Sequence, residues 1–320
     1  MAPRADGRPT FAVPRETERY PFALGGTAMV LFALLAVTGL LLAARYVATA
    51  AGAPASVDAI TQTVAYGWFV RGVHRAAASL MVAVVLLHLA RVLFTRGGAA
   101  PRQVTWLVGV GLLVLTLAFG FSGYALVGDA DAVAATAVGL QLMGPLRALF
   151  GAPGEVIGRL YVLHVAALPA LALLAGVAHV VLVRRHSPAP DEPDTVPYWP
   201  DHALFQAFVG ACAVTLAVVI ALAAPPTVGV PGAGAADAAG VAAMAAPRPE
   251  WYFLPPYALL KLVPRAAAAP LMLVALALLG AWPWLEARLA RGPRRSRAAA
   301  ALRVVFVLGP LALALWEALT

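Results

Sequence analysis

The stretch GWFVRGVHRAAASLMVAVVLLHLARVLF, residues 67–94, decides the fold. Its apolar part, residues 73–94, is long enough to cross the ~30 Å hydrocarbon core of a bilayer as a helix. Two histidines, His74 and His88, interrupt it. Ionisable side chains inside a membrane are costly and mark functional positions.

Six further apolar runs lie at 23–44, 104–126, 160–183, 203–224, 267–287 and 300–318. Backbone polar groups in lipid must be satisfied within the segment, so each run is expected to be a helix. The first is too long and too late in the chain for a cleaved signal peptide. The expected fold is therefore an all-α integral membrane protein with about seven transmembrane helices. Composition agrees: 62% of residues are hydrophobic, 12% are charged, and the mean hydropathy is +0.84. Soluble chains carry about 25% charge, so a water-soluble enzyme and a disordered chain are both excluded. The net charge of +8 does not imply nucleic acid, because the arginines sit in loops between apolar runs.

Arginine placement gives the expected orientation. The arm at 1–22 and the loops after the second, fourth and sixth runs, with Arg303 just beyond, hold fifteen of the 23 basic residues. The other side holds eight, so the positive-inside rule puts the N-terminus in the cytoplasm and the C-terminus outside. Two long connections, 127–159 and 225–266, then fall on the outer side, and loops of that length are usually functional. The Pro-rich polar stretch HSPAPDEPDTVP, beginning at His186, marks the expected domain boundary. The division is an N-terminal arm at 1–22, a four-helix bundle at 23–190 and a three-helix part at 191–320. The single cysteine, Cys212, excludes an internal disulfide, a thiolate zinc site and a CxxCH haem attachment.

Four histidines lie in apolar runs at two matched intervals: His74 and His88 in the second, His164 and His179 in the fourth. Intervals of 14 and 15 residues return each pair to nearly one helix face, about 21–22 Å apart along the axis. Both runs descend from the outer side, so His74 is expected opposite His164 and His88 opposite His179. A lone histidine is as readily a core residue bonded to a neighbouring helix. Four at matched levels are what two bis-histidine haems require, outer and inner, with no open site for oxygen. Gly25 and Gly39 in the first run, and Gly109 and Gly123 in the third, repeat the 14-residue interval. They are expected to leave room for a flat macrocycle, the ordinary alternative being small-residue helix packing. Arg71 and Arg75 flank His74, and Arg102 precedes the third run. They are candidate partners for haem propionates, through bidentate pairing with carboxylates.

These residues carry a family resemblance. The stretch from Gly67 to Leu126, together with RLYVLHVAALP (159–169) and HVVLVRR (179–185), resembles the haem-binding region of cytochrome b from Rieske/cytochrome b complexes. PEWYFLPPYALLK, residues 249–261, resembles the quinol-site motif of the same family. The 15-residue interval is similar to the photosynthetic b/f-type branch, with a subunit IV-like part fused at the C-terminus. The resemblance implies two non-covalent haems b and quinol oxidation at the outer face. One electron would pass to a Rieske iron–sulfur protein and a c-type cytochrome, the other across the membrane toward a second quinone site. It also implies proton translocation and a homodimer. Glu250 matches the position that accepts a quinol proton, a role suited to a carboxylate at a half-desolvated interface. Tyr252 is its candidate hydrogen-bond partner, and Trp251 and Phe253 are candidate apolar walls.

The chain departs from that family in two readable places. After the third run it reads GYALVGDAD, with Val127 and Gly128 where the family has Pro and Trp. The b/f-type branch has a haem-tethering Cys near the first run, where this chain has Ala23 in FALGG, so no covalent haem is expected. Asp201, His202, Arg184 and Arg185 are inner-side candidates for the second quinone. Two competing readings are a di-haem anchor that relays electrons without bifurcation, and a haem-free transporter using the histidines as a proton relay.

Overall fold

The computed structural model describes residues 12–14, 23–186, 195–227, 249–289 and 293–319. The arginines Arg4, Arg8, Arg15 and Arg19, the boundary segment at 187–194, residues 228–248 with Arg248, and Arg291 lie outside them. The regular structure of the described chain is helical apart from two short strands, β1 (Ala12–Pro14) and β2 (Thr195–Pro197), paired antiparallel with Val13 opposite Val196.

The helices are α1 (Leu24–Ala43), α2 (Gly52–Gln62), α3 (Gly67–Phe94), α4 (Gln103–Ala125), α5 (Ala130–Leu142), α6 (Val156–Val162) and α7 (Leu168–Arg185). After β2 follow α8 (Ala203–Ala223), α9 (Leu254–Leu262), α10 (Arg265–Gly280), α11 (Trp282–Leu289) and α12 (Pro293–Leu319). Six helices are long and apolar enough to cross a membrane, and a bent pair brings the number to seven. The bent pair is α10 and α11, meeting at 65°. The sixth expected span is thus broken. Gly280 ends α10, and Pro283, which has no N–H to give, sits in the first turn of α11.

The chain divides into two packing units. Among the described residues, one comprises 12–14, 23–42, 65–116, 171–186 and 195–226. Its core is Leu31 of α1, Ala76 and Ala77 of α3 and Ala217 of α8. Small residues let the backbones approach: a Cβ on Gly72 would lie 3.1 Å from Ala221, and one on Gly210 would lie 2.8 Å from Val30.

The second unit comprises, among the described residues, 43–64, 117–170, 227, 249–289 and 293–319. Ala125, Leu126, Val156 and Leu160 form its core, with Tyr46 packed on them. Tyr46 stacks on Tyr161 at 5.4 Å and donates its hydroxyl to the Leu126 carbonyl at 2.8 Å. Burial, with Tyr161 beside it, raises the Tyr46 pKa far above that of a free phenol, so the hydroxyl keeps its proton as a donor. In the same unit α9 packs on α12, where Lys261 and Glu317 pair at 2.5 Å. Arg303 and Glu286 form a second, more deeply buried pair.

Candidate functional site

Each of the four histidines meets one of the four glycines at the matching interval. A Cβ on Gly25 would lie 3.5 Å from His88 Cε1, and one on Gly39 would lie 3.2 Å from His74 Cε1. Gly109 stands in the same way 3.1 Å from His179, and Gly123 stands 2.8 Å from His164. The structure therefore sets an imidazole edge against each glycine. With a side chain there, the closest of these rings would have to move. His88 and His179 belong to one packing unit.

His164 does not sit on a regular helix. It lies in a π-turn, Leu163–Ala167, between α6 and α7. Such a turn accommodates one extra residue. The 15-residue interval to His179 thus behaves as 14, about 40° short of four full turns at roughly 100° per residue, as for His74 and His88. The unequal spacings seen in the sequence become one geometry.

The rings are also held by polar contacts. His74 Nδ1 is 2.9 Å from the Thr38 hydroxyl, and His164 Nδ1 is 2.9 Å from the Ser122 hydroxyl. Phe119 meets the His164 ring edge-on at 5.5 Å. Sequence reasoning did not single out Thr38, Ser122 or Phe119. The available signal was the pair of dipeptides Thr38–Gly39 and Ser122–Gly123.

The PEWY segment packs on the same turn of α4. A Cβ on Gly120 would lie 2.8 Å from the Tyr252 ring and 3.2 Å from its hydroxyl. Phe253 meets Phe121 edge-on at 6.3 Å. Glu250 precedes a single 3₁₀ turn, Trp251–Phe253, closed by the Phe253 N–H donating to the Glu250 carbonyl at 2.8 Å. Pro255 and Pro256 then open α9, where a missing N–H costs nothing. Tyr124 lies within electrostatic reach of Asp131, Asp129, Glu250 and Tyr252. Residues 119–123 thus carry His164 on some side chains and the PEWY aromatics on others.

The replaced Pro–Trp position has its own geometry. Gly128 has φ +71°, and a Cβ there would lie 3.0 Å from Pro54 and 3.4 Å from Ala53. A bulky residue is strained in that conformation. Asp129 follows and caps α5 by accepting from Ala132 N–H at 2.9 Å. Burial, and then the Asp129 carboxylate, hold the Asp131 carboxyl above its usual range.

The remaining candidates are placed as follows. Arg71 is half-buried and Arg75 exposed on α3, while Arg102 donates to the His186 carbonyl at 3.1 Å. His202 is buried at the start of α8, its Nε2 3.0 Å from Gln206 Nε2. Arg184 lies 6.0 Å from the centre of the Tyr198 ring.

These features define an all-helical, multi-pass integral membrane protein with intramembrane imidazoles seated on glycines. Residues 11–187 match the family model for cytochrome b/b6/petB, and residues 238–319 match that for the C-terminal part of cytochrome b/b6/petD. The chain belongs to the cytochrome b family. Cytochrome b6 of Heliomicrobium gestii is 36% identical over 183 residues, which are 54% of this chain and 86% of that protein. The cytochrome bc complex cytochrome b subunit of Chlorobaculum thiosulfatiphilum is 35% identical over 182 residues, 54% of this chain and 42% of that one. A solved structure titled as a hyperthermophilic respiratory complex III matches with a TM-score of 0.80. It covers 94% of this chain and 84% of its own, and at 21% identity it speaks for the fold alone.

Proposed function

We propose that the chain is the cytochrome b subunit of a bc-type quinol:cytochrome c, or related acceptor, oxidoreductase complex. The observation that carries this reading is the docking of Tyr252 on Gly120, one helical turn or less from Phe119, Ser122 and Gly123, which hold His164. An electron donor bound beside the PEWY segment then lies next to a ligand of the proposed outer haem.

The donor set fits a haem. Among the described residues no three His, Cys, Asp or Glu side chains are grouped to hold a bare metal ion. The matched intervals, 14 residues on α3 and 15 from His164 to His179, support two pairs of imidazoles, which suits a macrocycle that brings its own equatorial ligands. His74 and His164 would hold the outer haem b, and His88 and His179 the inner one. Arg71, Arg75 and Arg102 would pair with propionates. Bound in this way, the haems supply one-electron transfer across the membrane.

The chain's own residues do the rest. Quinol oxidation releases two electrons and two protons. The Glu250 carboxylate accepts a proton at the outer face, and Tyr252 holds the loop against α4. Trp251 and Phe253 exclude water from the ring of the substrate. The N-terminus is cytoplasmic, the C-terminus outside, and residues 23–190 and 191–320 form the di-haem and quinol-site parts. The working assembly contains a Rieske iron–sulfur protein, a c-type cytochrome and a second copy of this chain.

Val127 and Gly128 favour one alternative, a di-haem anchor that relays electrons without bifurcation. Quinol-dependent cytochrome c reduction by the purified complex separates the two. Turnover that is blocked by outer-site inhibitors and slowed in Glu250→Gln, with haem content unchanged, supports the quinol site. Turnover indifferent to Glu250→Gln at every pH removes its proton role.

A further inference from the structure

Two of the four imidazoles have a hydroxyl behind them, and two do not. The hydroxyl belongs to the residue just before the glycine: Thr38 before Gly39, and Ser122 before Gly123. The corresponding residues for the other two rings are Leu24 and Val108, whose side chains have no polar atom to offer. His88 Nδ1 and His179 Nδ1 are buried without a hydroxyl partner among the described residues, and His179 has only the Thr105 backbone to bond to, as His164 has that of Phe119 besides Ser122.

The carbonyls beside each hydroxyl favour one direction. Thr38 Oγ1 is 2.7 Å from the Leu34 carbonyl and 3.3 Å from the Leu35 carbonyl. A carbonyl oxygen only accepts, so the single hydroxyl proton is spent there. The same oxygen is 2.9 Å from His74 Nδ1, and it accepts from that nitrogen when Nδ1 carries the ring proton. Ser122 repeats the arrangement, with its Oγ 2.7 Å from the Ala118 carbonyl, 3.3 Å from that of Phe119 and 2.9 Å from His164 Nδ1. Both hydroxyls are buried, Thr38 at 7% exposure and Ser122 at 0%, so water does not compete for these bonds.

We propose that Thr38 and Ser122 are positioning residues. They take the Nδ1–H of His74 and His164, fix that tautomer, and leave each Nε2 lone pair for iron. The inference rests on the haem-binding reading above. A hydroxyl that already donates is a better acceptor, because chains of hydrogen bonds polarise one another. Accepting from the far nitrogen raises the basicity of the ligand nitrogen. A more basic ligand favours ferric over ferrous iron, so the two hydroxyls hold down the midpoint potential of the haem they serve. Because His74 and His164 are assigned to one haem, both hydroxyls act on the same centre.

The test is a potentiometric titration of the visible α bands in the purified full-length protein, for wild type, Thr38→Val and Ser122→Ala. Electron paramagnetic resonance of the ferric, low-spin haems is recorded in parallel. The expected result is a positive shift of one component, the same one in both variants, with the other unmoved. Thr38→Ser and Ser122→Thr keep an acceptor and are expected to retain the wild-type potentials with full haem content. Potentials unmoved in Thr38→Val and Ser122→Ala, or shifted negative, overturn the proposal. Shifts in different components overturn the shared-haem part. If Thr38→Val or Ser122→Ala loses haem, the conservative pair decides: a Thr38→Ser or Ser122→Thr protein that loses it too makes the role one of packing and overturns the proposal. A wild-type preparation lacking two b-type bands overturns the haem reading itself, and this inference with it.

Discussion

Tyr252 stands against Gly120, with its ring 2.8 Å from where a Cβ would be. This contact joins the PEWY segment to the turn of α4 that supports His164. Any side chain at position 120 displaces the tyrosine. Gly120→Leu is expected to lower quinol-dependent cytochrome c reduction by about a hundredfold, the usual cost of misplacing a reacting group by an ångström. Haem content, read from the reduced spectrum, stays near wild type. Undiminished turnover in Gly120→Leu would falsify the docking role.

The four glycines rank themselves. The approach is 2.8 Å at Gly123, 3.1 Å at Gly109, 3.2 Å at Gly39 and 3.5 Å at Gly25. Alanine is expected to disturb haem binding most at 123, next and about equally at 109 and 39, and least at 25. Haem occupancy per chain across the four alanine variants checks the order. A Gly25→Ala protein damaged as badly as Gly123→Ala contradicts it.

The histidine assignments separate the two haems. His88→Ala is expected to lose the inner haem first, and His74→Ala to threaten the outer one. Each variant should show one b-type α band on dithionite reduction. Two bands at full occupancy in either variant would show that the altered residue is not a ligand.

The Lys261–Glu317 pair gives an asymmetric stability prediction. Glu317 is 5% exposed and Lys261 is 46% exposed. Lys261→Met leaves a buried carboxylate without its cation and is the more destabilising change. Glu317→Gln leaves the lysine half-exposed rather than buried, and costs less. Melting temperatures in detergent should fall further for Lys261→Met. Equal losses would mean that the pair acts through packing alone.

Most of the site was visible in the sequence, because membrane helices are written locally. An apolar run states its own length, and a histidine interval states its own face. His74, His88, His164, His179 and the four glycines could be found from spacing alone. The Thr38 and Ser122 anchors could not, since a hydroxyl in an apolar helix usually bonds back to its own turn. Here each does so and also reaches a ring on another helix. The break between α10 and α11 was hidden because Gly280 and Pro283 sit inside a run whose average hydropathy is uninterrupted.

The amino-acid order by itself determined the membrane-spanning, helical character of the protein, the spacing of its imidazoles and the presence of the PEWY segment. These depend on hydropathy and on the helical repeat, which are properties of neighbouring residues. Only the tertiary structure decided that Gly39 serves His74 while Gly25 serves His88. It also decided that a π-turn absorbs the odd residue before His179, and that Tyr252 lands on Gly120. Each is a contact or a local distortion selected by packing between distant segments, and no periodicity along the chain encodes which surfaces will meet.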